Sequence, residues 1–86
     1  MELYMSDKLL FNENLYVTDL FLAAFLSLNF PIIKIDKSNP KKISFSFKKN
    51  KDIELVIEKF WRGDIEVIAL KYANQIRNLK SQIHNL

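Results

Sequence analysis

The chain has 86 residues, a formal net charge of +3, 49% hydrophobic and 13% aromatic side chains, one Gly, two Pro and no Cys. That length allows one small domain, and so large an apolar share excludes a long disordered tract. Without thiols there is neither a disulfide framework nor a cysteine-ligated zinc.

In chain order, residues 1–14 read as an N-terminal arm or edge strand, and residues 15–86 as a single domain. Within the arm, Lys8-Leu9-Leu10-Phe11 is a short strand or a loose extension. The start, Met1-Glu2-Leu3-Tyr4-Met5-Ser6-Asp7, lacks the basic stretch, apolar core and small-residue cleavage site of an export signal. The longest apolar run is LFLAAFLSL at residues 20–28. Spanning a hydrocarbon core takes about 20 residues, so no membrane partner is expected, and with no Cys to argue for an oxidising compartment the cytoplasm is the expected location.

Thr18-Asp19 ahead of that run reads as a helix N-terminus, since either side-chain oxygen accepts from a first-turn N–H. The run is apolar almost all round, which predicts a central helix with no wet face. Asn29 and Pro31 are its stop signals. Two strands are then expected, over residues 31–35 and 43–48, joined by a turn-rich loop containing Ser38-Asn39-Pro40. In the second, Ile43, Phe45 and Phe47 alternate with Ser44, Ser46 and Lys48, the period of a half-buried strand. Two strands alone are marginal in water, so a third is expected from residues 8–17 or from another subunit.

A second helix is predicted from Asn50 or Asp52, with Ile53, Val56, Ile57 and Phe60 as its inner stripe and Gly63 as its left-handed stop. Asp64 is expected to cap a third helix reaching about His84, with a seam of Ala69, Tyr72, Ile76, Leu79, Ile83 and Leu86. The fold class expected is a small α+β domain. Its order is helix–β-hairpin–helix–helix, with a two- or three-stranded antiparallel sheet packed on helices.

YVTDLFLAAFLSLNF, the FSF strand, the KFWRGDIEV turn and the last helix YANQIRNLKSQI resemble a family of small uncharacterised bacterial and phage proteins, known only as a domain of unknown function. The likeness covers roughly residues 15–84. Its pattern is Thr18-Asp19 with Leu22-Ala23-Ala24-Phe25-Leu26, then Phe45 and Phe47, Val67, Tyr72 and Leu79-Lys80-Ser81. These are mostly core and cap positions. The resemblance therefore implies a shared fold and a microbial or viral origin, and it implies no activity.

Catalytic chemistry finds little support. His84 is the sole His, and although Ser81 sits one helical turn before it, no nearby carboxylate orients the ring. The expected role of His84 is to stabilise a helix C-terminus. Asp64 with Glu66, or Glu54 with Glu58, are the oxygen-ligand pairs open to a hard cation. Lys51, Lys59 and Arg62 nearby make them solvated charges instead. No acid-x-Lys sequence lies on a predicted strand, and one glycine does not build a phosphate-cradling loop. The chain is read as a non-enzyme with no metal and no small-molecule cofactor.

The asymmetric feature is charge placement. The chain holds 11 Lys, 10 Ile and 8 Asn, a bias that AT-rich codon usage produces by itself, so only the position of each lysine is informative. Residues 34–51 carry Lys34, Lys37, Lys41, Lys42, Lys48, Lys49 and Lys51 against Asp36 alone, a charge of +6 that leaves −3 for the rest. A hairpin with those cations on its tip and outer face attracts a phosphate backbone. The competing reading is a solvated edge whose lysines block strand-to-strand aggregation. Arg62 and Arg77 are the only arginines, so base-specific readout is not expected. Trp61 is expected to close the core beside Phe60, with base stacking as its alternative role. The second candidate surface is the last-helix seam, where Ile76, Leu79, Ile83 and Leu86 would meet a second copy or a protein partner.

Overall fold

A computed structural model describes residues 13–84. Six elements follow one another: β1 (Asn14–Val17), α1 (Leu20–Ser27), β2 (Lys34–Asp36), β3 (Ser44–Lys48), α2 (Lys51–Arg62) and α3 (Ala69–His84). The strands form one antiparallel sheet in the order β1-β3-β2. The expected third strand is thus β1, on the far edge of β3. Since β3 runs against both neighbours, β1 and β2 are parallel, and α1 is the crossover between them. A crossover helix must lie on one face of its sheet.

The choice of face follows from side-chain alternation. Leu15 stands opposite Phe47, Val17 opposite Phe45, and Ile35 opposite Phe45. These apolar residues share the face that meets α1. Phe45, Phe47 and Leu26 are fully buried there together with Ile53 of α2 and Leu79 of α3. On α1, Leu22, Ala23, Ala24, Phe25 and Leu26 are all buried, and the two alanines let neighbouring backbones approach closely. The prediction of no wet face fails at Phe21, which is exposed at the start of the helix.

Phe25 ties the flanking helices to α1. Its ring lies 5.4 Å from that of Phe60 and 6.1 Å, edge-on, from that of Tyr72. The Tyr72 hydroxyl donates to the Phe21 carbonyl at 2.9 Å. Burial, helped by the Asp19 carboxylate, pushes the Tyr72 phenol above its ordinary range. Gln75 donates to Ser27 Oγ at 2.7 Å, which in turn donates to the Ala24 carbonyl at 2.8 Å. A helix with little polar surface of its own is thereby fixed against α3 by directional contacts.

The caps are local and legible. Asp19 Oδ1 accepts from the Leu22 N–H, and Asn50 Oδ1 from the Ile53 N–H, each at 2.9 Å. At the end of α2, Gly63 takes φ +74°. Its N–H bonds the Phe60 carbonyl while the Asp64 N–H bonds that of Lys59, the paired bonds of a Schellman motif. Asp64 therefore belongs to the end of α2 and does not cap α3, which begins at Ala69 after a connection without regular structure. Two other boundaries also move. β2 starts at Lys34, three residues after Pro31, although the Ile33 N–H already bonds the Ser46 carbonyl at 2.8 Å. α1 ends at Ser27, with Leu28 as its C-cap in the right-handed region, so Asn29 is not the capping residue.

Leu79→Ala should cost about 2–5 kcal/mol of stability by opening a cavity in the core. Asn50→Ala should cost about 1 kcal/mol through the lost cap, lowering the melting temperature by roughly 4–8 °C. Urea unfolding of both variants checks this. A loss under about 0.5 kcal/mol for Leu79→Ala would mean that α3 does not pack as described.

Candidate nucleic-acid interface

The sheet face turned away from α1 carries Asn14, Tyr16, Lys34, Asp36, Ser44, Ser46 and Lys48. One row crosses all three strands: Tyr16 pairs with Ser46, and Ser46 pairs with Lys34. Lys48 lies two residues along β3 from Ser46, so it is the diagonal neighbour of Lys34, about 7–8 Å away between backbones. Lys34, Lys48, Asn14 and Tyr16 are exposed. Ser46, on the central strand, is only 4% exposed.

The remaining lysines fall into two groups at opposite ends of β3. Lys41 and Lys42 stand exposed on the hairpin loop. That loop is shaped by two side chains bonding to backbone two residues on: Asp36 Oδ1 accepts from the Ser38 N–H at 2.9 Å, and Asn39 Oδ1 from the Lys41 N–H at 3.0 Å. The Ser38 bonds hold the Asp36 carboxyl below its ordinary range, and Lys34 adds to the effect. The single acid of the basic segment thus stays ionised and serves the turn. Lys37 differs from its neighbours, since its ammonium donates to the Gln82 carbonyl in the last turn of α3. A cation there opposes the negative end of the helix.

Lys49 and Lys51 lie at the other end, beyond Lys48. The Lys49 N–H bonds the Glu13 carbonyl, and its ammonium is 3.9 Å from Glu54. Both partners of that pair are about half exposed, so the contact is weak and screened by salt. From Ser44 to Lys48 the strand spans roughly 13 Å, so the seven lysines make a tip group and a base group with Lys34 between them. They do not form one cluster.

The other predicted residues land elsewhere. Leu79 is 1% exposed, and Ile76, Ile83 and Tyr72 pack half-buried around it. Four members of the last-helix seam thus face this chain's own core, because α3 packs against α1. Leu86 lies outside the described residues, as do Lys8-Leu9-Leu10-Phe11 and the rest of 1–12. Trp61 does not close the core: it is 62% exposed and meets Phe60 edge-on, 5.1 Å between ring centres. Asp64 pairs loosely with Arg62 at 3.9 Å, and Arg77 donates to Asn74 at 2.8 Å. Among the described residues, no three His, Asp or Glu side chains gather as metal ligands. No helix among them is long and apolar enough to cross a membrane.

Tyr16 is the residue that sequence reasoning missed. The signal was the alternation Leu15-Tyr16-Val17, which sends the tyrosine to the opposite face once its neighbours are known to be inward. A shallow depression of about 440 Å³ between β2 and α3, lined by Ile32, Ile33, Lys34, Gln75 and Gln82 among others, borders Lys34 on the edge of the sheet.

No curated protein and no solved structure matches the chain. One family model does, over residues 12–85, and its description is a domain of unknown function, DUF5659. That span takes in all six elements, and on this ground the chain belongs to the DUF5659 family.

Proposed function

We propose that this is a non-catalytic microbial or phage accessory protein of the cytoplasm, binding nucleic acid or another polyanion through its Lys-rich hairpin. The observation that carries the reading is the placement of exposed cations on the sheet face turned away from α1 and on the adjoining loop. Lys34 and Lys48 stand there as diagonal neighbours, with exposed Lys41 and Lys42 at the adjoining tip and Asp36 as the opposing charge. The sheet fixes where each flexible lysine stem begins, and each ammonium that meets a phosphate releases condensed counterions. Lys37 and Lys49 contribute less, because one already serves a helix end and the other faces Glu54. The scarcity of arginine favours binding to the backbone over reading of bases.

A protein partner or a homodimer is the second reading. The seam no longer favours it. What does is a set of large apolar side chains left exposed where α2 leads into α3: Trp61, Ile68 and Leu70. A dimer mass in sedimentation that Ile68→Asp with Leu70→Asp converts to monomer would support that reading, and a monomer at millimolar concentration would remove the homodimer.

For the preferred reading, a labelled oligonucleotide should bind with a log–log salt slope of roughly −3 to −4, as four phosphate contacts give. Lys34→Glu with Lys48→Glu, and separately Lys41→Glu with Lys42→Glu, should each reduce that slope by about 2. Affinity unchanged in both double variants would exclude the hairpin as the binding surface.

A further inference from the structure

The lysines do not by themselves distinguish one polyanion from another, but the residue beside them does. Tyr16 is 65% exposed on a regular strand, and no described residue bonds its hydroxyl. Its cross-strand neighbour is Ser46, too small to cover a ring, and the next residue in the row is Lys34. The backbones that carry Tyr16 and Lys34 are about 10 Å apart, two inter-strand spacings, so an aromatic side chain and a cationic one are presented on the same sheet face. Lys48 flanks the row on one side and the Asp36 carboxylate on the other. We infer that the sheet face is a stacking platform for single-stranded nucleic acid, with Tyr16 taking the face of a base while Lys34 and Lys48 hold the adjoining phosphates.

This inference rests on the polyanion reading above and narrows it to a substrate class. A duplex offers its phosphates but keeps its base faces stacked inside, so it uses the lysines and not Tyr16. A single strand offers both, and stacking tolerates any base because each has a π-face. The geometry is consistent with that division: the ring lies on the sheet, whereas Lys41 and Lys42 stand on the loop, clear of it.

The test compares oligo(dT) and oligo(rU) of twelve nucleotides with a twelve-base-pair duplex, by fluorescence anisotropy at low salt. Both single strands should bind more tightly than the duplex. Tyr16→Ala should weaken single-strand binding by about 5- to 150-fold and leave duplex binding unchanged. Tyr16→Phe should retain affinity, because the ring remains, whereas Tyr16→Leu, which keeps an apolar side chain without a π-face, should behave as Tyr16→Ala does. Thermal melts of each variant confirm that the exposed substitution leaves the fold intact. Equal single-strand affinity in wild type and Tyr16→Ala, with loss in Lys34→Glu/Lys48→Glu, would overturn the stacking platform and leave the polyanion reading standing. Absence of binding to any of the three probes would overturn both.

Discussion

The structure depends on the burial of one face of a single short strand. β3 is central, and its alternation sends Phe45 and Phe47 into the core and Ser44, Ser46 and Lys48 to the other side. Removing two aromatic rings from water is worth several kcal/mol, a large part of what so small a domain has to spare. A register slip of one residue would exchange the faces, exposing both rings and burying an ammonium group. The register is therefore held firmly, and with it the positions of Tyr16 and Lys34, which are fixed through their pairing to Ser46.

The same constraint explains why the described helices gather on one face of the sheet. The β1–α1–β2 crossover places one helix on one side, and α2 and α3 gather around that helix through Phe25, Phe60 and Tyr72. Among the described residues no element packs over the opposite face. The exposed residues of that face, Asn14, Tyr16, Lys34 and Lys48, are free to be selected for something other than packing. The proposed function uses that freedom: lysines at the tip and on the sheet, and one aromatic residue on β1 at the end of the row that continues through Ser46 to Lys34.

Much of this was legible in the residues. Asp19, Asn50 and Gly63 announced three helix boundaries because capping is a local interaction between a side chain or a backbone angle and the nearest turn. The strict alternation of residues 43–48 announced β3 and its inner face. Asp64 misled for an equally local reason: a residue suited to an N-cap sits directly after a glycine whose Schellman motif already uses its N–H. What depends on chains meeting from afar was not legible. Tyr16 gains significance only once β1 is known to pair with β3. Trp61 was expected inside because of its size, yet Phe60 reaches Phe25 first and leaves it outside. The division of the lysines into two groups likewise follows from where the strand ends lie, and a count of charges along the chain does not reveal it.

The central claim is that the face of the sheet opposite α1 is the working surface. Amide chemical-shift mapping of the labelled protein against oligo(dT) addresses it residue by residue. The account predicts that perturbations concentrate on Tyr16, Lys34, Ser46 and Lys48, fading into the hairpin loop. Perturbations gathered instead on α2 and α3, with the strand amides unmoved, would contradict it.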